Sequence, residues 1–411
     1  MHFSSVAHED LGERYRLSDL AVRPQSESFW SVIPGALAVA AAYNVGLWGL
    51  YLQPQMLSPL MAKFGAAETD IGVVYGAENF AYFIALLLTA IPVTQYSRTK
   101  MAILGVAIAA VGSVACAFTD NLGTFMVYRC VVSVGGGIVT GAATASAAGS
   151  KDPVRVFALA GMLYLFVFSV GRKLVPVGLE NFGEAGIFLG SAVFCAVTIP
   201  IYGFLNPPIK AASSDVHFWA LIRNAPYRLY AILAMLGLFI YELGQNAVFT
   251  YMDKLGEKTG LAGDERGSLY LLSFSLELLG GGLAAWMGSR FGKFRPLLFG
   301  LGLNITSAAM FTVVQDPIYY IYLLFLWNFS YAFSMPYITG TLSALDKEGR
   351  WAVAGDAIWN FSSTPGPIIA TVIVTNFGYN PLALWVFTSG ALGITLFCYT
   401  GRKADKLGLD G

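Results

Sequence analysis

Charge is what this chain has least of. Aspartate, glutamate, lysine and arginine make up 12% of its 411 residues, with 25 acids, 25 lysines and arginines, and a net charge of zero. Soluble domains carry about 25% charged residues, and a nucleic-acid binder carries a basic excess, so the composition excludes both classes. Cysteine is scarce too. Cys116, Cys130, Cys195 and Cys398 all lie inside apolar stretches and read as small packing residues, not as a disulfide framework. The histidines His2, His8 and His217 lie outside those stretches, which leaves no expected metal site and no intramembrane histidine relay. No Gly-x4-Gly-Lys-Ser/Thr loop is present, so ATP is not expected to drive the protein directly. No Ser-His-Asp set or cofactor motif exists either, so neither an enzyme nor a cofactor is expected. The N-terminal stretch mixes Glu9, Asp10, Glu13 and Asp19 with Arg14, Arg16 and Arg23 and does not read as a signal peptide.

What the chain does have is apolar length. Hydrophobic residues make up 56% of it, and the mean hydropathy is +0.62. Apolar runs of about 20 residues or more alternate with short charged segments, the pattern of an all-α membrane protein. Twelve spans fall at roughly 32–57, 70–94, 100–119, 122–148, 156–179, 184–205, 227–252, 266–289, 296–314, 317–345, 350–375 and 379–400. The polar stretch 206–226, beginning Asn206-Pro-Pro-Ile-Lys210, separates a six-span half at 30–205 from another at 227–400, with tails at 1–29 and 401–411. One set of connections holds Arg98, Lys100, Lys151, Arg155, Arg290, Lys293, Arg295, Lys347 and Arg350, with further basic residues in the tails and linker. The opposite set holds only Lys63, Lys254, Lys258 and Arg266. By the positive-inside rule, both termini are expected in the cytoplasm of an integral multi-pass protein of a bacterial inner membrane.

The halves repeat each other at a constant offset of 195 residues. Leu60 matches Leu255, Lys63 Lys258, Gly65 Gly260, Asp70 Glu265, Gly72 Gly267, Tyr75 Tyr270, Gly105 Gly300 and Gly171 Gly366. After span eight comes Gly288-Ser-Arg290-Phe-Gly292-Lys293-Phe-Arg295, and span four carries Arg129 ahead of Gly135-Gly-Gly137. The first of these resembles the short Asp-Arg-x-Gly-Arg motif of the major facilitator superfamily, with Ser289 where the family has its acid. The second resembles that family's arginine-plus-glycine motif with the glycines displaced. The resemblance covers essentially the whole chain. It implies the major facilitator fold, two pseudo-symmetric six-helix halves that rock about a midplane substrate site, with spans one, four, seven and ten lining the cavity.

The most informative charges are Arg172 and Lys173, adjacent and deep in span five. A charge at the bilayer centre costs about 3 kcal/mol on insertion scales, so such residues usually face a polar cavity or a partner. Arg172 is expected to reach the cavity and bind an anion with its planar fork. Lys173, about 100° around the same helix, is expected either to join it or to snorkel toward Glu180. Arg129 is a second anion anchor or the partner of Glu78, which lies at similar depth. Helical spacing adds Asn44 and Tyr51 from span one, with Trp48 between them, and Tyr164 from span five. It also adds Asn246, Asn328, Tyr331, Trp359 and Asn360 as substrate walls. A carboxyl in a poorly hydrated site can exchange protons near neutral pH; Glu78, Glu242 and Glu277 are the candidates. Asp356, a contact for Arg350 or Lys347, and Arg290 are read as gate residues.

These readings point to a symporter-type secondary transporter that moves a small organic anion, a carboxylate, with protons across the bilayer as a monomer. Sodium is the alternative coupling ion, and proton-antiport export of drugs or metabolites is the alternative function.

Overall fold

The computed structural model describes residues 29–208, 227–363 and 365–407. The expected N-terminal tail, most of the linker and the last four residues lie outside that set, as do His2, His8 and His217. Within it the chain is helical throughout. Span one is Ile33–Phe64, span two Glu68–Thr89, span three Arg98–Ala117 and span four Leu122–Ala148. Spans five and six form one element, Pro153–Thr198, broken at Gly183, whose φ of 62° and ψ of −168° are not helical. Spans seven to ten are Arg228–Lys258, Gly263–Met287, Phe294–Phe311 and Pro317–Leu345. Span eleven is split into Arg350–Ser362 and Pro365–Phe377 at a proline, and span twelve is Tyr379–Lys406.

Ten described helical stretches are long and apolar enough to cross a bilayer. Span five, with Arg172 and Lys173, and span ten, with its Asn, Ser, Tyr and Pro residues, complete the twelve-helix fold.

The sequence repeat is also a repeat of geometry. Gly65 and Gly260 both take positive φ, 59° and 86°, at the ends of spans one and seven. Asp70 then accepts from the Ala67 amide at 3.0 Å, and Glu265 from the Ala262 amide at 2.9 Å, so both following helices start with the same carboxylate closing back on the N-cap amide. Gly171 lies against the Trp48 ring, and Gly366 against the Leu243 backbone, each pair displaced by the same offset.

Helix packing in the first half depends on three successive glycines. Gly135 meets Gly105 and Ala109 of span three, Gly136 meets Gly46 of span one, and Gly137 meets Ala85 and Leu86 of span two. A Cβ at Gly136 would come within 2.9 Å of the Gly46 carbonyl oxygen, so only glycine permits this approach. In the second half the equivalent stretch begins Ser330-Tyr331, and a polar network replaces the glycine contacts. Tyr241 donates to Asn304 (2.6 Å), Asn304 donates to Ser330 (3.3 Å), and the Trp327 indole donates to Gln245 (2.6 Å).

The halves meet on the side of the membrane that carries the chain termini. There span two packs on span eleven, span five on spans eight and ten, and span four on spans ten and eleven. Arg98, fully buried, donates to the Glu348 carbonyl at 2.9 Å and also to the carbonyls of Val93 and Pro207. Arg155 donates to the Ala285 carbonyl at 3.3 Å.

Candidate functional site

Inside the first half, spans two and four bring Glu78 and Arg129 together. Glu78 is 1% exposed, and its carboxylate accepts from Arg129 Nε at 3.2 Å and from Nη2. Gln53 donates to Glu78 at 3.5 Å and to Asn79 at 3.0 Å. The Arg129 guanidinium also lies 5.8 Å from the centroid of the Phe188 ring. Beside it is a cavity of about 20 Å³, lined by Gln53, Tyr75, Arg129 and Ser191 among apolar neighbours. That is room for one water molecule. Arg129 is therefore the partner of Glu78 within one bundle.

A second group forms where the halves face each other near mid-membrane. The Tyr164 hydroxyl donates to that of Tyr51 at 2.6 Å, and the Phe168 ring packs 4.5 Å from Tyr51. From the other half, the Trp359 indole donates to Tyr331 (2.8 Å), and the Tyr331 hydroxyl donates to Glu242 (3.1 Å). Tyr164 and Trp359 are repeat-equivalent positions, and each hydrogen-bonds a tyrosine of its own half. Glu277 interacts electrostatically with Tyr51 and Tyr164, and Glu242 with Tyr51, so both acids lie within electrostatic reach of the first half. Among the described residues no cation pairs with either acid. Asn246 donates to Ser362 at 3.2 Å in the same region.

Closer to the terminal side, Asp356 of span eleven joins the halves. It accepts from the Thr144 hydroxyl and, at 3.4 Å, from Tyr43. The two donors are themselves 3.0 Å apart. This corrects the expected contact to Arg350, which instead binds Asp346 at 2.6 Å. Ser289, where the family's motif has its acid, is followed by a helix capped from elsewhere. Asp405 of span twelve accepts from the amides of Lys293 (2.9 Å) and Phe294 (3.0 Å), and so caps the start of span nine.

Several expected wall residues turn away from the seam. Asn44 is 2% exposed and donates to the Ala40 carbonyl, and Trp48 donates to Ser191 of span six at 3.1 Å. The seam face of span one is Tyr43, Leu47 and Tyr51, a neighbouring stripe at equally good helical spacing. Asn328 is half-buried with its amide on the Leu324 carbonyl, and Asn360 is 7% exposed on span eleven. Arg290 is exposed and links no described residues across the seam. The side chains of Arg172 and Lys173 lie outside the described residues; their backbone continues the helix that carries Tyr164 and Phe168. Sequence reasoning missed Tyr43 and the Asn304 network. Tyr43 had a signal, its spacing with Leu47 and Tyr51; Asn304 and Ser307 stand at i, i+3 on span nine, but that spacing does not name the partners of Asn304 on other helices.

The family model described as Major Facilitator Superfamily matches residues 37–355. Similar solved structures include the human organic anion transporter MFSD10, at 16% identity and TM-score 0.69, covering 89% of this chain and 98% of that one. They include the E. coli fucose:proton symporter FucP, at 16% identity and TM-score 0.73, covering 90% and 98%. They also include the proton:xylose symporter XylE, at 14% identity and TM-score 0.70, covering 91% and 95%. At these identities the likeness shows the fold. A search of curated protein sequences finds no match.

Proposed function

We propose that this chain, which belongs to the major facilitator superfamily, is a proton-coupled secondary transporter of a small organic anion. The family and fold make it a membrane transporter; the substrate class and the coupling are our reading. Two of its fold neighbours are sugar:proton symporters and one is an organic anion transporter, so both halves of the reading have precedent on this scaffold.

The observation that carries the substrate class is the placement of Arg172. It follows Tyr164 and Phe168 at helical i, i+4, i+8 spacing, on the helix whose Tyr164 meets Tyr51 at the seam. Arg129 is already committed to Glu78, which leaves Arg172 to neutralise the substrate, with Lys173 beside it. The aromatic walls of Tyr51, Tyr164, Tyr331 and Trp359 suit a planar or amphipathic body. Glu242 and Glu277 then take the coupling proton. They lie near the seam and pair with no cation among the described residues, so protonation of either breaks no described ion pair. Sodium is the alternative ion at the same carboxylates. Asp356 with Thr144 and Tyr43 forms the terminal-side gate. We place the termini in the cytoplasm, which reagent access to a cysteine at Lys63 from the opposite side tests.

Proton-antiport export of a drug or metabolite is favoured by one observation, an acid flanked by Tyr331 and Trp359, since that set also suits an organic cation. Thermal-shift screening of the purified protein against organic acids, amines and neutral sugars separates the readings, because a ligand stabilises the state that binds it. An acid that stabilises the intact protein but not Arg172→Ala supports the anion reading. Stabilisation by amines or sugars, unchanged in Arg172→Ala, overturns it.

A further inference from the structure

On the flank of the molecule, at the terminal-side end of the seam between spans five and eight, is a groove of about 380 Å³. Its two walls belong to different halves. Arg155, Leu159 and Met162 come from the first, and Gly282, Trp286 and Arg290 from the second. The groove lies at the depth where the chain leaves the membrane, because Arg155 is in the first turn of span five and Arg290 follows the end of span eight at Met287.

The lining is divided by chemistry. Arg155 is 4% exposed, holds Asp152 at 3.6 Å and reaches the Ala285 carbonyl across the seam. Arg290 is exposed at the mouth, next to Trp286, which is 63% exposed. Leu159 and Met162 supply an apolar floor, and Gly282 leaves space against Met162. Asp152 offsets one guanidinium, so the groove keeps a net positive charge at its headgroup end. Two guanidinium groups above a hydrocarbon floor, with an indole at the interface, match an amphiphile with a phosphate head. Basic pockets between membrane helices at a leaflet surface bind phospholipid headgroups in this way.

We propose that this groove holds the headgroup of an anionic phospholipid from the terminal-side leaflet, with an acyl chain along Leu159 and Met162. The lipid favours the conformation in which the terminal side is closed. Opening that side draws spans five and eight apart and separates Arg155 from Arg290, so the lipid binds one state better than the other and shifts the equilibrium toward it.

The test uses the full chain in nanodiscs of phosphatidylcholine alone or with phosphatidylglycerol. Native mass spectrometry counts retained lipid. Maleimide labelling of Thr89→Cys reports terminal-side opening, in a background lacking the four native cysteines, because Thr89 is buried against Gly141 at that closed end. The intact protein should retain phosphatidylglycerol in preference to phosphatidylcholine, and the anionic lipid should slow labelling. Arg290→Gln should weaken retention about fivefold, the worth of one arginine at a membrane surface, and abolish the effect on labelling. Arg295→Gln, exposed and outside the groove, should change neither. Gly282→Phe fills the groove without removing a charge and should act like Arg290→Gln, which keeps the test decisive if one variant folds poorly. Equal retention of the two lipids, or retention unchanged in both groove variants, overturns the proposal. So does slowing of labelling by inorganic phosphate in phosphatidylcholine nanodiscs, which would make the groove a free-anion site.

Discussion

In the first half, Glu78 is buried against Arg129 and the two charges cancel inside one bundle. In the second half, Glu242 faces the Tyr331 hydroxyl, and Glu277 sits within electrostatic reach of tyrosines across the seam. The offset that superimposes caps and glycine contacts places Ser273 opposite Glu78, Leu324 opposite Arg129, Leu47 opposite Glu242 and Tyr82 opposite Glu277. The halves therefore share a scaffold but not its charges. A paired acid holds two helices together. Neither second-half acid is paired with a cation among the described residues, and our proposal gives them the coupling proton for that reason.

The largest effect expected from disturbing this contrast is at the paired acid. Arg129→Ala leaves Glu78 buried without its cation, which costs about 3–5 kcal/mol. A large drop in thermal stability should follow, and Glu78→Gln combined with Arg129→Gln should recover much of it. A single Arg129→Ala variant as stable as the intact protein would mean that the pair does not hold spans two and four together.

The next effect is on coupling. Glu242→Gln and Glu277→Gln should fold and exchange substrate across proteoliposome membranes, yet lose pH-driven accumulation. Smaller still is the gate. Asp356→Asn weakens the bonds from Thr144 and Tyr43, and about 1 kcal/mol for a hydrogen bond corresponds to about fivefold faster labelling of Thr89→Cys. The smallest effect belongs to the second half's packing network. Gln245→Leu, which loses the Trp327 bond, should cost about 0.6 kcal/mol and leave transport rates unchanged.

The scaffold was legible in the sequence because it is written in periodic signals. Twelve apolar runs, the linker at 206–226 and the repeat from Leu60 to Gly171 led to two six-helix halves, and the break between spans five and six falls at Gly183, inside the expected gap. The pairing of Arg129 with Glu78 could be read from their matching depths on neighbouring spans. The seam was harder to read. Asn44, Trp48 and Tyr51 form as good a stripe as Tyr43, Leu47 and Tyr51, and only the packing of Trp48 against Ser191 and Phe194 selects between them. The partner of Asp356 lies 212 residues away in the other half, where no local spacing points to it. Asn304 gave no signal because its partners, Tyr241 on span seven and Trp327 and Ser330 on span ten, lie on other helices, where no local spacing points to them.

The most direct measurement is uptake of a stabilising organic acid into proteoliposomes under an imposed pH gradient, compared for the intact protein, Glu242→Gln, Glu277→Gln and Glu78→Gln. Accumulation above equilibrium should appear with the intact protein and survive in whatever Glu78→Gln protein folds, while both second-half variants only equilibrate the substrate. Accumulation that persists in Glu242→Gln and Glu277→Gln but is lost in a well-folded Glu78→Gln would put the coupling in the first half and contradict the division between the halves.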